Sequence, residues 1–519
     1  MTRTTCILFT IAAFGIASVF GASTCESLTT LKLKNTAITV AEPVAAGAFT
    51  PPSAPGKEGP AGGKNKQAAA FQNLPAFCRV AATLTPVADS EIKIEVWLPE
   101  TGWNGNLQSV GNGAWAGTIS YPAMGTALAA GYATASTDTG HAGGNPATFI
   151  AGHPEKVIDF SYRAVHEMTV AAKAIINGRY GTNPKYSYWN GCSTGGHQAL
   201  MEAQRYAADY DGIIAGAAAN YTTHLQGAQV WSAAVVNKDE ASYIPPAKYA
   251  VLHAAVLEAC DALDGVKDGV LENPNKCRFD PQKLLCKDAD GPSCLTAPQV
   301  EAARQIYAGP ADSRGKSLFP GLEPGSETGW ATLSGPRPMA LADETYKFLV
   351  FSDANWNYLT FNAERDMAVA DKNAGPVMNA IDPNLKPLFS HGGKLLMYHG
   401  WADPGIAPQN SVNYYNSVVA ELGKDKLGKA AVSNSIRLFM IPGMGHCQGG
   451  DGTSTFSMID ALSKWVEQGK APDRIEASRV RGPERKPDRT RPLCPYPQVA
   501  VYNGSGSTDE SANFSCKVQ

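Results

Sequence analysis

The chain has 519 residues, of which 44% are hydrophobic and 18% charged, with a formal net charge of −3. That is more chain than one core of about 250–300 residues absorbs, so a main domain with something inserted or appended is expected. The near-neutral balance excludes long-range attraction to nucleic acid or an anionic membrane, and the one basic cluster, Arg479 to Arg491, is broken by prolines and reads as a solvated tail.

At the N-terminus Arg3 precedes an uncharged apolar run from Ile7 to Phe20 and the small residues Gly21, Ala22 and Ser23. This is the pattern of a secretory signal peptide, assigned to residues 1–22. No later run reaches the roughly 18 apolar residues of a spanning helix, so the mature chain is expected to be exported, extracellular or periplasmic, with no membrane partner. Lipid attachment at Cys25 is disfavoured by Ser23 and Thr24, where such a signal favours Ala or Gly. The stretch from Ala41 to Ala70 is rich in Pro, Gly and Ala and reads as an exposed loop.

Strand character then recurs at Ile92–Leu98, Leu107–Val110, Tyr132–Ser136, Tyr186–Trp189 and Asp211–Ala215, each run ending in turn residues. Helix-like stretches, Ser161–Ile176 and Gly196–Tyr206, lie between them. Such alternation predicts an α/β domain built on a largely parallel sheet covered on both faces. After Leu107–Val110 the chain enters Gly111-Asn-Gly113-Ala114-Trp115-Ala-Gly117, a loop of the kind that supplies an oxyanion N–H; Gly113 is the first candidate and Ala114 the alternative.

The run Tyr186-Ser-Tyr-Trp-Asn-Gly-Cys-Ser193-Thr194-Gly-Gly196 combines a strand, a G-x-S-x-G turn and a helix start. This is the signature of a nucleophile elbow, with Ser193 as nucleophile and the Thr194 N–H at a helix N-terminus as an oxyanion donor. Serine needs a histidine to take its proton and a carboxylate to hold that histidine, and in α/β-hydrolases the chain order is Ser, acid, His.

The strand pattern stops near Asn220, and residues 221–384 are helix-leaning and loop-rich, with four cysteines. Within them Asp261, Asp264 and Asp268 place three carboxylates in eight residues among glycines, a density of oxygen that suits Ca²⁺. The spacing resembles an EF-hand loop only in part, so the carbonyls of Val266 and Val270 would complete the shell; the alternative is a solvated acidic turn. A structural ion is expected rather than a catalytic one, since triad chemistry requires no metal and no organic cofactor.

Strand character returns at Lys394–His399 and Ile436–Ile441. The first leads into Asp403 and the second into His446, both at strand C-terminal ends, where ligands of open α/β sheets bind. One sheet domain, residues 23–220 and 385–519, is thus split by the insertion. His399 lies inside a strand and reads as a core residue; His141 follows a strand too, but precedes Ser193 in the chain.

Eleven cysteines are present and Cys6 leaves with the signal peptide, so ten remain, an even number that implies disulfides in an exported chain. Sequence does not assign connectivity. The spacing suggests Cys25–Cys78, Cys260–Cys277, Cys286–Cys294 and Cys494–Cys516, leaving Cys192 beside Ser193 and Cys447 beside His446.

Five motifs in order, Gly191-Cys-Ser-Thr-Gly-Gly196, Asp211-Gly-Ile-Ile-Ala-Gly216, His399-Gly-Trp-Ala-Asp403-Pro, Gly443-Met-Gly-His-Cys447 and Arg491-Pro-Leu-Cys-Pro-Tyr-Pro497, resemble the tannase and feruloyl esterase family. That family also includes mono(2-hydroxyethyl) terephthalate hydrolase. The resemblance implies an α/β-hydrolase fold with an inserted lid domain, a bridge equivalent to Cys192–Cys447, and a calcium ion in the lid at Asp261, Asp264, Val266, Asp268 and Val270. It further implies a small aromatic ester as substrate, free or attached to plant polysaccharide or tannin. The acyl group would be feruloyl, with galloyl and terephthalate esters as alternatives and a non-catalytic phenolic- or carbohydrate-binding protein as the reading from another class.

Overall fold

In the computed structural model, residues 23–52, 71–143, 147–424, 432–482 and 486–519 are described. Nine strands, β1 (Thr36–Val44), β2 (Phe77–Leu84), β3 (Ile92–Pro99), β4 (Leu107–Val110), β5 (Ala133–Thr137), β6 (Ser187–Cys192), β7 (Gly212–Gly216), β8 (Lys394–Gly400) and β9 (Ile436–Ile441), form one sheet. Their order is β1-β2-β3-β5-β4-β6-β7-β8-β9. The pairings from β1 to β5 are antiparallel, and those from β5 through β9 are parallel. β4, β5 and β7 are buried along their whole length, yet only β7 reads as a plain apolar run; β4 buries Gln108 and Ser109, and β5 buries Thr134, Ser136 and Thr137.

Helices cover both faces. On one face α2 (Ala164–Tyr180), α3 (Thr194–Arg205) and α8 (Gln409–Gly423) pack Ile175, Leu200 and Val418 against Ile94, Trp189 and Leu395 of the sheet. On the other, Ala127 of α1 (Tyr121–Ala129) and Leu462 and Trp465 of α9 (Met458–Gln468) meet Tyr188, Ile214 and Phe439. This is an α/β-hydrolase fold, and it gathers the parallel strands' C-terminal ends along one edge. Between β7 and β8 the described chain holds helices and no strand, including α4 (Thr222–Asn237), α5 (Pro246–Cys260), α6 (Ala297–Ala308) and α7 (Ala363–Asn373). They share a separate apolar cluster around Val236, Leu252, Ile306 and Trp330, to which Ile406, just after β8, also belongs.

Three sequence readings need correction or lie out of reach. The stretch beginning at Ala41 is not loop throughout, because its first four residues complete β1. Pro43 is tolerated there because β1 is the sheet's edge, where a missing N–H disrupts no inner ladder. The cluster from Arg479 to Arg491 is not a solvated tail. It spans most of the hairpin of β10 (Ile475–Val480) and β11 (Pro487–Leu493), next to a second hairpin, β12 (Gln498–Tyr502) with β13 (Phe514–Val518). Arg489 and Arg491 are only 8% and 9% exposed, since both pair with Asp268 and Arg491 lies 4.0 Å over the ring of Phe514. The expected signal peptide, residues 1–22, lies outside the described residues.

Five disulfides join Cys25 to Cys78, Cys192 to Cys447, Cys260 to Cys277, Cys286 to Cys294 and Cys494 to Cys516.

Candidate active site

β6 ends at Cys192, α3 begins at Thr194, and Ser193 makes the turn between them with φ 64° and ψ −120°. A non-glycine residue at positive φ costs roughly 1–3 kcal/mol, so the surrounding bonds must hold it. They do: the Ser193 N–H donates to Gly216 O at 3.0 Å, and the Ser193 carbonyl accepts from His197 at 3.0 Å and Ala219 at 3.2 Å. A Cβ on Gly191 would stand 2.4 Å from the Gly195 carbonyl oxygen, and one on Gly196 2.3 Å from that of Gly216. Strand and helix therefore cross at a separation that only glycine permits.

Asp403 follows β8 and is fully buried. Its Oδ1 accepts the N–H groups of Gly405 (2.7 Å) and Ile406 (3.0 Å), and its Oδ2 accepts from His399 Nε2 (3.0 Å) and His446 Nδ1 (2.7 Å). Burial alone would favour the neutral acid, but His446 and His399 outweigh it and hold the carboxyl well below its ordinary range. His446 sits in the loop after β9. Burial works against its charge as well, yet the Asp403 carboxylate wins and raises its pKa above the ordinary value. With Nδ1 committed to Asp403, Nε2 is the atom left to exchange a proton.

Ser193, Thr194 and His446 line one cavity of about 170 Å³, whose remaining walls are mostly apolar and include Trp115, Phe160, Leu225, Met339 and Leu341. Among the described residues no Lys or Arg lines it. The Cys192–Cys447 bridge ties the residue before Ser193 to the residue after His446 across 255 positions of sequence. Ala114, at φ 48°, is in the cavity wall and its carbonyl accepts the Thr194 hydroxyl at 2.9 Å; Gly113 is not in the wall. His141 stands apart, with Nε2 2.7 Å from Trp115 O and its ring stacked on Phe149.

Two features of this site escaped the sequence. His399 is a buried residue, but it is also Asp403's second partner, and its Nδ1 lies 2.8 Å from Ser411 Oγ. The signal was the four-residue spacing to Asp403 at a strand's end. Gln226 and Gln229, on α4, line the cavity with buried Oε1 atoms that have no hydrogen-bond partner among the described residues. Nothing in the sequence distinguished them from other helical glutamines.

The acidic loop is built differently from a simple turn. Asp264, Val266, Asp268 and Val270 line a small cavity together with Glu272, Arg489 and Arg491. Asp261 folds the loop itself, accepting the N–H groups of Asp268 (3.2 Å) and Gly269 (2.9 Å). Burial pushes the Asp264 carboxyl up to about 6 and that of Glu272 up to about 8, and it raises Asp268 despite the two arginines. Three carboxyl groups around one small cavity, each made harder to ionise by burial, are a donor set that fits a divalent cation. Glu272, twelfth from Asp261, is an acidic member that the sequence reading passed over. Among the described residues Cys286, Asp290 and Cys294 also bring ligand atoms together, but the two sulfurs are joined in a disulfide and carry no thiolate charge.

Residues 78–517 match the model of the family described as tannase and feruloyl esterase. The chain belongs to that family. It is 37% identical over 556 aligned positions to an uncharacterized esterase of Xanthomonas campestris pv. campestris, covering 98% of this chain and 94% of that protein. A probable feruloyl esterase B-2 of Aspergillus terreus is 34% identical over 454 positions, 84% of this chain and 85% of its own. Among solved structures, that of feruloyl esterase B from Aspergillus oryzae superposes with a TM-score of 0.85 at 30% identity, covering 95% of this chain and 99% of that one. The protein is a carboxylic ester hydrolase of the tannase and feruloyl esterase family.

Proposed function

We propose that this protein is a secreted serine esterase that releases an aromatic acid, feruloyl above all, from small esters free or attached to plant polysaccharide. The observation that carries the reading is the ionised Asp403 held 2.7 Å from His446 Nδ1, with His446 and Ser193 facing one mainly apolar cavity. In the proposed reaction His446 Nε2 takes the Ser193 hydroxyl proton while Oγ attacks the ester carbonyl carbon. The Thr194 N–H, joined by that of Ala114 or Gly113, stabilises the oxyanion. His446 returns its proton to the departing alcohol, leaving an acyl-Ser193, and a water activated by the same histidine then releases the acid.

The acyl group occupies the 170 Å³ cavity, whose wall includes Gln226 and Gln229; a rotation of either amide would turn an otherwise unpartnered oxygen toward a phenolic hydroxyl. Galloyl esters are the second reading, supported by those same acceptors. Terephthalate monoesters fit less well, because a buried carboxylate would find no Lys or Arg among the described residues of the wall. Residues 221–384 act as the lid over this cavity, to which they contribute Leu225, Met339 and Leu341. Calcium, held by Asp261, Asp264 and Asp268 with the carbonyls of Val266 and Val270, would neutralise the buried carboxylates and fix the loop; no catalytic step passes through it. Export is supported by the apolar N-terminal pattern and the five disulfides.

Hydrolysis of methyl ferulate, methyl gallate and mono(2-hydroxyethyl) terephthalate by the purified protein, with Ser193→Ala alongside, tests the reading. Cleavage of methyl ferulate by the wild type and not by the variant is expected. A folded wild-type protein that leaves all three esters intact would overturn it.

A further inference from the structure

His446 and Pro404 also line a second cavity, of about 250 Å³, which Ser193 and Thr194 do not reach. Its position has a chemical meaning once Ser193 and His446 act as above. The acyl group must lie by the nucleophile and the oxyanion donors, whereas the departing alkoxide takes its proton from the histidine and so leaves on the histidine's side. The cavity that touches His446 alone is therefore placed for the alcohol half of the ester.

Its walls differ from those of the acyl cavity. Six glycines, Gly269, Gly325, Gly329, Gly443, Gly445 and Gly450, leave peptide groups uncovered, and His253, Thr328 and Asp451 add polar side chains. His253, on α5, is firmly held. Its Nδ1 lies 2.8 Å from Glu327 Oε2, and Glu327 is fully buried and accepts Tyr307 Oη–H and Gly325 N–H as well, each at 2.8 Å. A buried carboxylate with three partners fixes the imidazole plane and leaves Nε2 free of it. That Nε2 lies 3.8 Å from Asp451 Oδ2. The gap is too long for a direct hydrogen bond and short enough for one hydroxyl oxygen to contact both groups. Among the described residues the other charges facing this pair are Arg481, 2.9 Å from the Asp451 carboxylate, and Arg479, which donates to the Asp451 backbone carbonyl at 3.0 Å.

The plant-polysaccharide ester proposed above already has a sugar as its alcohol half; we propose that in this second cavity His253 Nε2 and the Asp451 carboxylate are the pair that recognises it, one alcohol hydroxyl bridging the two. The inference rests on the esterase reading of Ser193 and His446. A small alcohol such as methanol cannot reach His253, so the pair selects substrates by their leaving group without entering the chemistry.

The test compares two esters of the same acid, methyl ferulate and 5-O-feruloyl arabinofuranose, on the wild type, His253→Leu, His253→Gln and Asp451→Ala. The readout is the ratio of kcat/KM for the sugar ester to that for methyl ferulate. That ratio is expected to fall about tenfold in His253→Leu and about threefold in Asp451→Ala, through KM, the size of one lost hydrogen bond. His253→Gln, whose amide nitrogen reaches the place of Nε2, is expected to keep most of it. A purely structural His253 would instead lower both esters in proportion, and an unchanged ratio in the variants would overturn the inference. Should His253→Leu fail to fold, Asp451→Ala, at a half-exposed surface side chain, decides alone. A wild type that cleaves neither ester refutes the esterase reading itself, whereas an active wild type with ratios unmoved by substitution refutes only the subsite.

Discussion

Replacing Cys192 and Cys447 together by alanine removes a cross-link that closes a loop of 255 residues beside both Ser193 and His446. Two separate effects follow. The first is on stability: freeing a loop of that length restores chain entropy to the unfolded state worth about 5.5 kcal/mol at 25 °C. With an unfolding entropy of about 2.1 cal/mol/K per residue over roughly 500 residues, about 1 kcal/mol/K, the melting temperature should fall by about 5 °C. The second is on geometry, because the loop from Ile441 to Cys447 that carries His446 loses its tether to the end of β6, and a shift of about 1 Å at reacting groups costs on the order of a hundredfold in rate. Calorimetry of the double variant and its kcat on methyl ferulate read the two effects independently. A melting temperature within 1 °C of the wild type, with kcat within threefold, would refute the reasoning. A lower melting temperature with full kcat would leave the bridge a stabilising role only.

Further outcomes are expected around the same residues. His446 must be neutral to accept a proton and its pKa is raised by Asp403, so kcat/KM should rise with pH along a limb centred above the ordinary 6.5, and Asp403→Asn should move the residual limb downward. The linked stability has opposite signs at the two groups: the share from His446 is complete below pH 6.5 and lost as pH rises through its folded pKa, while the share from Asp403 is present above 3.8 and lost only as pH falls through its much lower one. His399→Leu removes a hydrogen bond to the buried carboxylate and should lower stability by about 2 kcal/mol and reduce kcat more than it changes KM, with His399→Gln recovering both. Chelation with EGTA should lower the melting temperature and added calcium should restore it. Calcium affinity should rise as pH passes up through about 6 to 8, where Asp264 and Glu272 release their protons; a melting temperature indifferent to EGTA would refute the metal reading.

How much of this was legible in the sequence depended on how far each residue's partner lay along the chain. β7, β8 and β9 were readable because burial on both faces makes most of their residues apolar, and Ile436–Ile441 falls on the same residues in sequence and structure. The elbow was readable because its strand, turn and helix start are contiguous and one of its close approaches, Gly191 against Gly195, lies within the motif itself. β2 was not, since its Arg79 and its alanines weaken the pattern; Arg79 is tolerated in the strand because it pairs with Glu95 on β3. The basic C-terminal segment looked solvated because the acid that buries Arg491, Asp268, lies 223 residues earlier. A shorter separation, 74 residues, likewise hid Glu327 from His253, so the polar second cavity had no local signature.

The central claim is that Ser193 is the nucleophile for aromatic-ester cleavage, and the most direct measurement is stoichiometric titration with diethyl p-nitrophenyl phosphate, followed by peptide mass mapping. One diethylphosphoryl group per chain, on the peptide carrying Ser193, with methyl ferulate hydrolysis lost in proportion to labelling, is the result expected. Hydrolysis that persists after Ser193 is fully labelled, or that is lost through labelling elsewhere, would contradict it.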